Sequence, residues 1–203
     1  MKKLESTLPN MAIVLTSIAV IAGLALGYVN SVTAGPIEQI KAQQLSDGIK
    51  AVLNADEVKV EAPDTLETGA VLYRTDKGVA VQATDPNGFG GKLTVLVGFD
   101  NEGTIQGYQI LETSETPGLG AKAGEWFQKD QKGDIIGKNP ARNNMTVSKD
   151  GGEVDAITAS TITSRAFLRC VNSAYEALNT KAEDAQTGAS VQHHNEEKEA
   201  DYE

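Results

Sequence analysis

LTVLVGFDNEGTIQGYQIL, residues 93–111, decides the fold. Its two arms are rich in β-branched and aromatic residues and alternate well enough for strands, and Asp100-Asn101-Glu102-Gly103 between them carries the residues of a tight turn. The stretch therefore predicts strands over Leu93–Phe99 and Thr104–Leu111, folded back as a hairpin. Upstream, Ala70–Tyr73 and Gly78–Thr84 read as strands joined through Thr75-Asp76-Lys77-Gly78, and Asp56–Val60 as the start of a short one. Downstream, Asp134–Ile136 and Met145–Val147 read as short strands around Gly137 and Pro140. From Thr161 to Leu178, Ile162, Ala166, Leu168, Val171, Tyr175 and Leu178 recur at helical spacing. Strands that do not alternate regularly with long helices argue against a doubly wound parallel sheet. A compact α+β domain with a mostly antiparallel sheet is the predicted class.

Ahead of this domain lies MAIVLTSIAVIAGLALGYV, residues 11–29, with no charge. As a helix rising 1.5 Å per residue it spans about 29 Å, the depth of the hydrocarbon layer. Lys2 and Lys3 precede it, and the first charge after it is Glu38. That asymmetry predicts a short cytoplasmic N-terminus at 1–10, a single crossing at 11–29 and an extracytoplasmic body. A cleaved secretory signal is the competing reading, since Val32-Thr33-Ala34 precedes Gly35. Gly23 and Gly27 form a small-xxx-small pair suited to helix packing. Residues 30–53 read as a juxtamembrane helical segment with Ile40, Leu45, Ile49 and Leu53 apolar, 54–180 as the folded domain, and 181–203 as an acidic disordered tail.

Composition excludes several functions. The 203 residues carry 28 acidic against 18 basic side chains, a formal charge of -10, which argues against a nucleic-acid partner. The single Cys170 forms neither an internal disulfide nor a cysteine-held zinc or iron-sulfur site, and its helical setting reads as a buried filler. His193 and His194 sit in the tail without a settled third ligand, so no metal site is expected.

Chemistry concentrates at Asp155-Ala156-Ile157-Thr158-Ala159-Ser160-Thr161-Ile162-Thr163-Ser164, where hydroxyls gather around a helix start. Such a cluster can cap a helix. It can equally hold a phosphate, because the first amides of a helix lack intrahelical partners and point at an anion. Spacing alone leaves both readings open.

The same residues resemble the FMN-binding domain family, in particular the G subunit of the Rnf ion-translocating electron transport complex and the related C subunit of the sodium-translocating NADH:quinone reductase. The family motif, Asp, two variable residues, Ser/Thr-Gly-Ala-Thr, a variable residue and Ser/Thr, falls on Asp155, Thr158, Ala159, Ser160, Thr161 and Thr163. Ala159 stands where the family has Gly and Ser160 where it has Ala. Ser114-Glu115-Thr116-Pro117-Gly118-Leu119-Gly120 matches the family's ETPGLG loop, followed by Trp126 and Phe127, and Gly88-Phe89-Gly90-Gly91 is similar to its aromatic GxGG element.

The resemblance implies FMN esterified through its phosphate to Thr161 by a flavin transferase, with Thr158 and Thr163 orienting phosphate oxygens and Asp155 completing the motif. It implies a flavin pocket shaped by Glu115, Thr116, Gly118 and Leu119, with Gly118 and Gly120 permitting close approach, and Trp126 either covering the ring or supporting the core. The implied role is an electron-carrying subunit, at the inner membrane with its FMN domain on the periplasmic side. Its complex links ferredoxin and NAD to sodium or proton translocation, and its partners are multispan and iron-sulfur subunits. Gly88-Phe89-Gly90-Gly91 does not open a strand-turn-helix fingerprint, so no NADH site is inferred. Two other classes stay open: a solitary extracytoplasmic flavin reductase, and a noncatalytic interaction domain whose hydroxyls only cap a helix.

Overall fold

The computed structural model describes residues 7–199, with side chains described through Thr180, and divides at Gln44/Leu45 into two compact units. Lys2 and Lys3, on which the orientation reading rests, lie outside the described residues.

Helix α1, Leu8–Val52, begins in the first unit. Its apolar side chains, Leu15, Leu24, Leu26 and Tyr28 among them, are exposed there. By length and composition it is the one described helix able to cross a membrane. Ser17, Ser31 and Thr33 turn their hydroxyls back onto the carbonyls of Ile13, Tyr28 and Val29 at 2.8 Å, which leaves little polar surface for lipid. Sequence reading separates helical segments at 11–29 and 30–53, whereas the helix runs unbroken through Pro36. Gly35 before the proline has no Cβ to clash with its ring, so the usual bias of that position away from helix is weakened.

In the second unit the predicted sheet is present as an antiparallel meander of β1 (Asp64–Thr65), β2 (Val71–Thr75), β3 (Gly78–Asp85), β4 (Leu93–Phe99) and β5 (Ile105–Thr113), paired in chain order. The hairpin of residues 93–111 closes as expected. Asp100 Oδ1 accepts the Glu102 and Thr104 N–H groups at 2.9 and 2.8 Å, and Gly103 takes φ +78°. β4 is buried on both faces. One face, with Leu93, Val95, Val97 and Phe99, packs with Val81 and Ala83 against α3 (Thr161–Glu199) through Ala166, Phe167, Cys170 and Val171. The other, with Ala80 and Leu96, receives Ile49, Val52 and Leu53 from the end of α1 and the residue after it. The strand glycines Gly98 and Gly107 admit Val52, since a Cβ on Gly107 would lie 2.9 Å from its carbonyl oxygen.

Three predicted strands do not form. Of Asp56–Val60 only Val60 bridges, to Thr75, and of Met145–Val147 only Val147, to Val154. At Asp134–Ile136 the chain makes turns, and the nearby pair Gly137 N–H to Ile105 O (2.8 Å) and Ile105 N–H to Lys138 O (2.9 Å) closes the start of β5. Ile162, expected on the core face of α3, is instead exposed, and Phe167, Cys170 and Ala174 carry that face. Cys170 is buried as expected, and burial pushes its thiol pKa up to about 12. The backbone of α3 continues to Glu199, past the loss of apolar periodicity on which the disordered tail rests. Residues 181–199 are dominated by Ala, Glu, Gln and other residues compatible with helix, without proline. The tail side chains, His193 and His194 included, and residues 200–203 lie outside the described residues.

Candidate functional site

β5 leads into the loop 114–120. Thr113 Oγ1 accepts the Glu115 N–H at 3.2 Å, and Thr116 O accepts the Leu119 N–H at 3.1 Å. The second bond closes a turn with Pro117 second and Gly118, φ +78°, third, the chemistry of a type II turn. Gly118 is therefore a turn residue. A Cβ there would meet no other protein atom within 4 Å. The crowded position is Gly120. A Cβ on it would lie 2.7 Å from Thr163 Oγ1, 2.9 Å from Glu115 Cδ, and closer still to Glu115 Oε2.

The hydroxyl motif is delivered by a loop locked onto the first turn of α3. Ser164 Oγ accepts the Ile157 N–H at 2.9 Å and donates to Ser160 O at 3.0 Å. Ala159 takes φ +61°, the left-handed conformation that explains why glycine suits this motif position. Trp126 Nε1 donates to Asp155 O at 2.8 Å, which makes this indole a tie between the two blocks. Ser148 Oγ donates to Asp155 Oδ1 at 3.1 Å, and Arg165 holds Asp150 with two bonds of 2.6 and 2.7 Å. These contacts fix a 3₁₀ turn at Ser148–Asp150, from which Lys149 Nζ reaches within 3.5 Å of Thr161 Oγ1.

Loop, motif and the GFGG element converge on one cleft of about 330 Å³, within the roughly 300–1,000 Å³ range of small-molecule sites. Glu115, Thr116, Leu119 and Gly120 form one side and Ala159 to Thr163 the other, with Phe89 at the rim. Phe89 is 70% exposed, Leu119 43% and Ile162 49%, three of the four most exposed large apolar side chains of this unit among the described residues. Below them Glu115 and Thr163 are 8% and 1% exposed. Among the described residues Glu115 Oε1 and Thr163 Oγ1 have no hydrogen-bond partner. Two orphaned buried polar atoms under an apolar rim, beside a hydroxyl with an ammonium at hand, fit a ligand that is apolar at one end and polar and anionic toward the other.

Of the residues expected to form the site, Glu115, Thr116, Leu119, Thr161 and Thr163 meet in the cleft. Asp155 stands beside it as a structural tie. Thr158 is exposed and Gly118 lies in its turn, and neither lines the cleft. Sequence reading missed Lys149, the Asp150–Arg165 clamp and the Ser164 bridge. The turn Lys149-Asp150-Gly151-Gly152 shortly before the motif is the one signal that points toward the first two. A larger concavity of about 660 Å³, lined by Asn54, Gln106, Tyr108 and Gln128 among others, contains none of the motif hydroxyls.

Residues 88–176 match the FMN-binding domain family. The chain is 33% identical over 190 residues to the G subunit of the Na+-translocating ferredoxin:NAD+ oxidoreductase complex of Acetobacterium woodii, an alignment covering 80% of this chain and 87% of that protein. It is 36% identical over 121 residues to the G subunit of an ion-translocating oxidoreductase complex of Aliivibrio fischeri, covering 58% and 57% of the two chains. It is also 36% identical over 118 residues to the corresponding G subunit of Yersinia pestis, covering 54% and 56%. The chain thus spans little more than half the length of the last two relatives. The antiparallel α+β domain, the cleft uniting three sequence blocks and the extent of the Acetobacterium match together make this chain a member of the G-subunit family of ion-translocating oxidoreductase complexes, with an FMN-binding domain.

Proposed function

We propose that the chain is the FMN-carrying electron-transfer subunit of a membrane-bound Rnf-type complex that couples electron transfer between ferredoxin and NAD to translocation of sodium ions or protons. The FMN is esterified through its phosphate to Thr161. A flavin transferase attaches it, and the multispan and iron-sulfur subunits of the complex are the partners. Helix α1 anchors the chain in the cytoplasmic membrane, and the flavin domain lies on the extracytoplasmic side.

The observation that carries this reading is the polarity gradient of the cleft. At the Thr161 end, Lys149 Nζ lies 3.5 Å from the hydroxyl and would set one positive charge opposite a phosphodiester, beside the first amides of α3, which lack intrahelical partners. In the middle, the unpaired Glu115 Oε1 would accept from hydroxyls of a polar chain such as the ribityl group, and Thr163 Oγ1 would pair with the same chain. At the rim, the exposed apolar side chains Phe89, Leu119 and Ile162 would cover an aromatic ring system and exclude water from it. Bound flavin supplies the redox chemistry, and the protein supplies position and electrostatics.

The test is Thr161→Ala. Denaturing gels should lose in-band flavin fluorescence, and peptide mass spectrometry should lose the adduct, while the fold persists because Thr161 is only half-buried. An adduct on Ser160 in the parent protein, or full covalent loading of Thr161→Ala, would overturn the assignment of the acceptor.

A further inference from the structure

One part of the rim of the cleft comes from a segment without regular secondary structure. It is the tip of the connection from β3 to β4, residues 86–92, of which Phe89 alone lines the cleft. This loop is gripped from behind. Asp85, 7% exposed at the end of β3, accepts Arg169 Nε at 2.5 Å on Oδ2 and Arg169 Nη2 at 3.2 Å on Oδ1. The same Nη2 donates to the Asn87 carbonyl at 3.4 Å, and the Asn87 N–H donates to Asp85 Oδ1 at 2.7 Å. From the front, Gly88 and Gly90 press directly on the 114–120 loop. A Cβ on Gly88 would lie 2.8 Å from Glu115 Oε1, and one on Gly90 would lie 2.9 Å from the Glu115 nitrogen. The backbone on both sides of Phe89 is held, while its side chain is 70% exposed. Arg169 itself is not among the residues lining the cleft.

We propose that the Arg169–Asp85 pair is a latch that positions Phe89 over the ring end of the cleft and so sets solvent access to the bound isoalloxazine. The inference rests on the flavin reading above. Arg169 lies eight residues after Thr161 on α3, so one rigid helix carries both the tether and the latch. A slip of the loop relative to the ring then requires breaking a bidentate bond to a buried carboxylate. The Arg169 side chain is 48% exposed, so the pair's contribution to stability is modest. What a forked guanidinium adds is a fixed geometry.

The experiment uses the full-length protein, flavin attached, in detergent, and reads quenching of flavin fluorescence by iodide alongside thermal melting. Phe89→Ala should raise the quenching constant about twofold, since it uncovers one of the ring's two faces. Arg169→Met and Asp85→Asn should each do the same, Arg169→Lys less, and Arg169→Met with Phe89→Ala no more than Phe89→Ala alone. In the flavin-free Thr161→Ala chain, adding Arg169→Met should speed amide hydrogen exchange across 86–91 at least about tenfold, the equivalent of losing one hydrogen bond to a charged group. Iodide quenching unchanged in Arg169→Met, whatever its melting temperature, would overturn the latch, as would multiplied effects in the double variant. Loss of the denaturation-resistant flavin from the parent protein would instead strike the flavin reading and leave the exchange result to judge the loop.

Discussion

Gly118 and Gly120 stand two residues apart in one loop, and alanine at each tests a different physical term. At Gly118 the cost is conformational: φ is +78°, and a Cβ would meet nothing within 4 Å. An L-residue in that region costs about 1–2 kcal/mol, partly offset by the lost freedom of the unfolded glycine. A net loss of about 1 kcal/mol lowers the melting temperature by roughly 2–4 °C for a chain of this size. At Gly120 no such strain applies, and the cost is space. The new methyl would sit 2.9 Å from Glu115 Cδ and 2.7 Å from Thr163 Oγ1, and nearer to Glu115 Oε2, all tighter than ordinary contact. Crowding of this kind costs about 1–3 kcal/mol. Melting temperatures therefore overlap, and the flavin separates the two. Gly118→Ala should keep the parent flavin emission spectrum and midpoint potential. Gly120→Ala should shift both, because the side chains it displaces carry the two orphaned atoms of the cleft floor. A shifted spectrum in Gly118→Ala together with a parent spectrum in Gly120→Ala would refute this division of roles.

Ala159→Gly relieves a positive φ and should raise stability by up to about 1 kcal/mol in a thermal melt while leaving the adduct on Thr161; a lower melting temperature would contradict the strain. Burial raises the Asp85 carboxyl pKa, but the hydrogen bonds and charge of Arg169 and the Asn87 N–H outweigh it and hold the group below the ordinary aspartate value. A depressed folded pKa means stability that is present above the unfolded value, about 4, and is lost as pH falls through the folded one. Acid titration should accordingly show a steeper loss below about pH 4 in the parent than in Arg169→Met, and superimposable acid limbs would refute the coupling. Tyr108 donates its hydroxyl to Ala123 O at 2.6 Å and accepts the Phe127 N–H at 3.2 Å, so Tyr108→Phe strands both groups in the core and should cost about 1–3 kcal/mol by denaturant titration.

The parts legible in the sequence are those whose causes are local. The meander follows from alternation and turn residues within about ten positions of each other, and Gly78 and Gly103 take positive φ in those turns. Where the cause is distant, the sequence is silent or ambiguous. Gly98 and Gly107 mark strands approached by another backbone, yet nothing in their surroundings names Val52. Both halves of the cleft are written in motifs, and the fold brings them together. The charged contacts Asp150–Arg165 and Asp85–Arg169 join residues 15 and 84 apart, and neither has a periodicity to reveal it. The glycines of the ETPGLG loop were legible as a pair but not in their separate roles, because a turn and a close approach call for the same residue type.

What unites the site is the register of α3. Thr161, Thr163, Arg165 and Arg169 meet the cleft, the clamp and the latch, while Ala166, Phe167, Cys170 and Val171 face the sheet. Phe167 fixes the helix about its axis. It stacks on Phe127 with centroids 4.3 Å apart and planes 4° from parallel, and it meets Tyr108 edge-on at 4.8 Å. Rotating the helix by one residue, about 100°, would carry Phe167 out of that cluster and Thr161 away from Lys149 in the same movement. The aromatic core is therefore what holds the Thr161 hydroxyl opposite the Lys149 ammonium. Phe127 follows directly on Trp126, whose indole ties down Asp155, so the same short segment secures both the helix and the motif loop that leads into it.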